Sequence, residues 1–175
     1  MSLIDKTYFT QEISIPDDKY NTELDLINKY EPEILKKLLG LELYRKVIDL
    51  SNVDTEIVAI REGSDYTVND VLYRWNGLIN SEKISLISYY VFYWYVRKKS
   101  SETSTIGEVL GSPENSVNYN SAYKMMEAWQ NAKYLYGSAE HPTNYESAYS
   151  YLTANIDDYP EWHFTEIESL NLFGI

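Results

Sequence analysis

At 175 residues the chain is long enough for one domain with a continuous core, and a hydrophobic fraction of 44% places it outside the disordered class. Fifteen Lys and Arg against 27 Asp and Glu give a net charge of −12, which disfavours general binding to DNA or RNA. With no cysteine, disulfides, thiolate catalysis and Cys-ligated metals are excluded.

The aromatic content is high, with 18 Tyr, 4 Trp and 4 Phe. Tyrosine joins a large apolar ring to a polar tip, so it suits wet protein interfaces as well as cores. Met1 to Lys6 lacks a basic region followed by an apolar stretch, so no signal peptide is expected. The longest apolar run, Ile84 to Val96, is broken by Ser85 and Ser88. It falls short of the roughly 20 residues a membrane span needs.

Residues 1–20 read as an N-terminal arm, residues 21–158 as a helical domain and residues 159–175 as a C-terminal arm. In the first arm, Phe9, Ile13 and Ile15 share a period of two, which predicts an extended segment from Tyr8 to Ile15 ended by Pro16. From Thr22 the spacing becomes helical, through Leu26, Ile27, Tyr30, Ile34, Leu35, Leu38 and Leu39. Pro32 inside that series predicts a kink or a new helix start, and Gly40 a helix end. Leu43, Tyr44, Val47 and Ile48 continue as a further amphipathic helix, and Asp54 to Glu62 reads as a short helix ended by Gly63, although Ile57, Val58 and Ile60 also suit a strand.

Two β-prone runs between Tyr66 and Trp75 flank Asn69-Asp70, a pair that tolerates positive φ and suits a tight hairpin. Ser81 to Lys99 is the strongest helix, with Ile84, Ile87, Val91, Trp94 and Tyr95 on one side and Tyr89, Phe92 and Val96 on the other. A helix apolar nearly all round belongs in the middle of a bundle or against a second subunit. Residues 100–117 read as a long polar loop. A helix from about Ser121 carries the stripe Ala122, Met125, Trp129, Ala132 and Tyr136 and ends at Gly137. Another opens at Pro142, with Thr143 and Glu146 spaced as a capping box and Tyr145, Ala148, Tyr149, Leu152 and Ile156 as its buried face. The fold expected is mainly α: a compact helical bundle with one small β-hairpin and extended terminal arms.

Catalytic and cofactor motifs are missing from this reading. His141 and His163 are the two histidines, and neither belongs to a metal-binding pattern. Asp17-Asp18 and Asp157-Asp158 read as solvated turns, since a calcium loop needs alternating oxygen ligands around a Gly. Gly107 and Gly111 are four apart without the Lys-Ser/Thr of a phosphate loop. The basic clusters Lys36-Lys37 and Arg97-Lys98-Lys99 read as solvated helix faces. No catalytic, cofactor-binding or metal-ligating residue is assigned.

The order of features carries a resemblance over most of the chain. Tyr30-Glu31-Pro32-Glu33 leads to Leu38-Leu39-Gly40-Leu41-Glu42-Leu43-Tyr44, then to Tyr73-Arg74-Trp75-Asn76-Gly77-Leu78 and the helix Ser88 to Tyr95. Thr105-Ile106-Gly107, Pro113-Glu114-Asn115, Ala128-Trp129-Gln130 and Leu172-Phe173-Gly174-Ile175 follow. This series resembles small proteins encoded in phages and prophages of Bacteroides-type gut bacteria, similar to head-to-tail connector (adaptor) proteins. The resemblance implies a non-enzymatic virion structural protein, held in the host cytoplasm before assembly. It would form a ring oligomer with itself and touch portal and tail proteins. Neither sequence-specific nucleic acid, nor membrane, nor small-molecule substrate is expected. The alternative is a small acidic phage-encoded module that binds a host protein.

Overall fold

A computed structural model describes residues 2–15, 22–100, 103–104, 107–108, 121–141 and 143–168. Its elements are two 3-10 turns (Lys6–Tyr8, Gln11–Ile13), α1 (Thr22–Ile48), α2 (Thr55–Glu62), β1 (Ser64–Val68), β2 (Val71–Trp75) and α3 (Leu86–Ser100). A two-residue ladder of β3 (Thr103–Ser104) and β4 (Gly107–Glu108), α4 (Ser121–Tyr136), α5 (Ala148–Ala154) and a last 3-10 turn (Ile156–Asp158) follow. The fold is mainly helical with a small antiparallel hairpin, as the sequence predicts.

The interior is built around α3, which packs against α1 on one side and α4 on the other. That placement accounts for a helix apolar all round: Ile87 and Val91 are fully buried, and so are Tyr90 and Tyr93. Trp94, expected in the core, is half-buried instead. Its ring stacks on Tyr30 of α1 with centroids 4.8 Å apart, and the Arg97 guanidinium lies 5.2 Å from its centre. An indole at the edge of a helix interface can serve both the core and a cation.

α3 also begins later than its hydrophobic pattern suggests. Asn80 closes a turn by accepting from the Ile84 N–H at 3.2 Å and donating to the Ile84 carbonyl at 2.6 Å. Lys83 has φ +61°, which no helix accommodates. Ser85 then accepts from the Ile87 N–H and donates to the Leu78 carbonyl, so the helix starts behind it and Ile84 is left exposed.

In α1, Pro32 neither starts nor ends the helix; the break falls at Gly40, with φ +75° and ψ +170°. The unbroken buried face Leu26, Ile27, Ile34, Leu35, Leu38 and Leu39 explains why the chain stays helical through the proline. Each such side chain contributes about 1.5–3 kcal/mol on burial, against a cost of about 3 kcal/mol for one interior proline.

The hairpin follows its sequence signal closely. Val68 pairs with Val71 across Asn69 and Asp70, whose φ values of +50° and +63° make the primed turn that matches strand twist. Tyr66 and Trp75 anchor its base: the Trp75 indole donates to the Ile60 carbonyl at 3.1 Å, and the Tyr66 hydroxyl to the Tyr145 carbonyl. Toward the tip burial ends, and Val71 and Leu72 are 50% and 68% exposed.

Both arms fold back on the domain as far as they are described. The first is not extended. Two 3-10 turns bury Tyr8, Phe9 and Ile13, with Ile4 and Ile15 also buried. Asp5 caps the first turn by accepting from the Thr7 N–H at 2.8 Å. Glu31, 2% exposed, receives the N–H groups of Leu3 (3.0 and 3.1 Å) and Ile4 (3.2 Å). The C-terminal arm crosses α1 at its break. There the Trp162 indole donates to the Leu38 carbonyl (2.7 Å), the His163 N–H to that of Leu39 (3.4 Å) and the Thr165 N–H to that of Lys37 (2.8 Å). The apolar residues expected at the end of that arm, Leu170, Leu172, Phe173 and Ile175, lie outside the described residues, as does most of the loop 100–117.

Before α5 the expected capping box does not form. Ser147, not Thr143, is the N-cap and accepts from the Ser150 N–H at 3.2 Å, so the helix begins at Ala148. Glu146 instead receives the Tyr134 hydroxyl at 3.0 Å. Ile156 lies past the helix end and is exposed, while Tyr151 takes the buried place on that face.

Candidate interaction surface

The histidines and acidic pairs singled out by sequence do not converge. His163 is exposed where the C-terminal arm crosses Gly40, and His141 borders a cleft 22 residues earlier in the turn after α4. Asp157 and Asp158 sit exposed in the last 3-10 turn, and Asp17 and Asp18 lie outside the described residues. Among the described residues no group of His, Asp and Glu is placed to hold a metal ion. The basic clusters are engaged along their own helices: Lys37 pairs with Glu33 at 3.4 Å, Lys36 lies over Tyr44, and Arg97 donates to the Tyr93 hydroxyl at 2.8 Å. No helix among the described residues is long and apolar enough to cross a membrane.

What the fold does build is a surface groove at the C-terminal end of α4, a feature without a signal in the sequence. Gly137 ends α4 with its N–H on the Lys133 carbonyl, and the chain turns through Ser138 to His141. Asn144 returns to donate its side-chain amide to the Tyr134 carbonyl at 2.6 Å, filling a helix-end acceptor. Between these two limbs lies a cleft of about 390 Å³ bordered by Lys133, Tyr134, Ser138 and His141.

Two further clefts share walls with it. One, of about 250 Å³, has Lys133, Gly137 and Ser138 in common with the first and adds Glu140, Glu166 and Glu168. The other, of about 410 Å³, shares Tyr134 and Asn144 and adds Tyr73, Tyr145 and Glu146. Through these shared residues the three clefts adjoin as one interrupted groove, with its ends at the C-terminal arm and the hairpin. Its hairpin end is aromatic, with Tyr73 and Tyr145 stacked at 4.1 Å and Tyr134 52% exposed. The Glu146 carboxylate raises the Tyr134 phenol above its ordinary range, chiefly by accepting its hydrogen bond. At the other end Glu166 accepts from the Ala139 N–H at 3.2 Å, tying the arm to the turn.

The interior chemistry is that of a tyrosine-rich core. Burial pushes Tyr66 and Tyr89 up to about 12, and the bond from Tyr89 to Glu12 (2.8 Å) adds to the shift at Tyr89. Tyr90, Tyr136 and Tyr159 are raised further, again mainly by burial. Burial also raises Glu31, against the opposing pull of the Leu3 and Ile4 amides. These groups are hydrogen-bonded within the domain.

No family model, curated protein or solved structure matches the chain.

Proposed function

We propose that the chain is a non-enzymatic virion assembly protein of the head-to-tail connector (adaptor) kind, a ring subunit that joins portal and tail proteins. The observation that carries this reading is the projecting hairpin. Its base is locked to α2 and to the turn before α5, whereas adjacent Val71 and Leu72 at the tip stand in water. Leaving two neighbouring aliphatic side chains half or more exposed forgoes roughly half of the 1.5–3 kcal/mol that full burial of each would give, a cost that contact with another protein recovers. A two-stranded sheet also leaves an outer edge on each strand, which is a template for pairing with another chain.

Two further features support the reading. The order of sequence features resembles connector proteins from about Tyr30 onwards. A net charge of −12 suits a ring whose lumen lets DNA pass without adhering, because like charges repel phosphates. The test is co-expression with cognate portal and tail proteins, followed by size-exclusion chromatography. Co-elution in a high-mass complex is the expected result. A chain that elutes at its own mass beside an intact portal ring contradicts the proposal.

A further inference from the structure

The groove between α4 and the arm has a chemistry that selects its occupant. Glu140, Glu166 and Glu168 border its arm end and Glu146 its hairpin end, and Lys133 is the one Lys or Arg side chain among its described walls. One end is aromatic, through Tyr73, Tyr134 and Tyr145. We propose that this groove docks an extended, basic segment of a partner protein, its apolar side chains on the three tyrosines and its Lys or Arg side chains facing the carboxylates. This rests on the reading of the chain as an assembly protein and names the chemistry of one partner.

Charge complementarity excludes the nearer occupants. The residues that follow Glu168, Ser169-Leu170-Asn171-Leu172-Phe173-Gly174-Ile175, include no cation and would leave the carboxylates without counter-charge. A second copy presents the same acidic groove, so groove-to-groove pairing would set carboxylates against carboxylates, and ring contacts between copies would use other faces. An extended segment suits a row of adjoining clefts, because it can reach the tyrosines at one end and the carboxylates at the other.

The experiment titrates the 15N-labelled full chain with a short blocked peptide of alternating Lys and Leu, and in parallel with its Glu and Leu counterpart. The proposal expects the Lys peptide alone to shift the amides of Gly137, Ser138 and Asn144, with affinity falling as salt rises. Combining Glu140→Gln with Glu168→Gln should weaken binding by about fivefold or more, as loss of facing charges does. Exposed Glu62→Gln, on α2, should leave it unchanged.

Four results overturn the proposal: neither peptide binds, both bind alike, the double variant binds as tightly as the parent, or groove amides shift with protein concentration alone. A fifth is that ending the chain after Glu168 moves those same amides without peptide, which makes the terminal segment the occupant. If that truncation does not fold, combining Leu170→Ser with Phe173→Ser makes the same test. Peptide binding that fails while co-assembly with the portal persists removes this proposal alone. Failed co-assembly removes the connector reading instead.

Discussion

A Cβ placed on Gly40 would lie 2.9 Å from the Cβ of His163, so helix α1 and the C-terminal arm meet at a point where only glycine leaves room. The same glycine breaks α1, and a helix end leaves carbonyls of its last turn without donors. The arm supplies those donors, from the Trp162 indole and from the N–H groups of His163 and Thr165. Break and crossing thus solve one another: the helix ends where the arm can cap it, and the arm is held by the acceptors it satisfies.

Gly40→Ala should therefore destabilise the fold twice over. A φ of +75° with ψ +170° is nearly a glycine-only conformation, costing about 1–3 kcal/mol for other residues, and the His163 contact adds to it. Urea denaturation should show a lower midpoint with little change in slope. A variant as stable as the parent would disprove the crossing.

Ending the chain after Glu161 should lower the melting temperature sharply. It removes Trp162, Phe164 and buried Ile167, and it strips the donors from Lys37, Leu38 and Leu39. Thermal unfolding followed by circular dichroism reads this directly. A monomer of unchanged stability would mean that the arm serves a neighbouring subunit.

Replacing Glu31 separates its charge from its role as an acceptor. Glu31→Ala leaves the Leu3 and Ile4 N–H groups without their partner and should cost about 1–3 kcal/mol. Hydrogen exchange at those two amides should speed up. Glu31→Gln keeps an oxygen and loses a charge that burial disfavours, so it should cost much less. Equal losses from both variants would show that the carboxylate charge is essential.

The buried tyrosines set the alkaline limit. In the unfolded chain they ionise near 10, whereas Tyr66 and Tyr89 in the folded state hold their protons to about 12. Their contribution is fully present below about pH 10 and is lost as pH rises toward 12, because the unfolded state then binds fewer protons. Absorbance near the phenolate band should rise in two phases, exposed tyrosines first and the remainder with cooperative unfolding. A single phase at the ordinary tyrosine value, with the fold intact, would contradict this burial.

Where local chemistry decides the conformation, the sequence was legible. Asn69-Asp70 between β-prone runs announced the hairpin, and the stripe from Met125 to Tyr136 ended by Gly137 announced α4. The pattern misled where a side chain competes with the backbone. Asn80 and Ser85 delay α3, and Ser147 displaces Thr143 as a cap, because a turn satisfied by its own side chains outweighs hydrophobic spacing. The N-terminal arm shows a period of two that 3-10 turns also satisfy when every apolar residue is buried. The groove left no trace at all. Its walls come from the hairpin, the end of α4, the turn through His141 and the arm, and periodicity within one segment carries no information on contacts between segments that distant.

The connector proposal is tested most directly by imaging portal rings assembled with and without the chain. Reconstruction from negative-stain micrographs should show an added layer of density of the portal's symmetry, which Leu72→Asp at the hairpin tip removes while circular dichroism stays unchanged. Portal rings that look the same whether or not the chain is present would contradict the account.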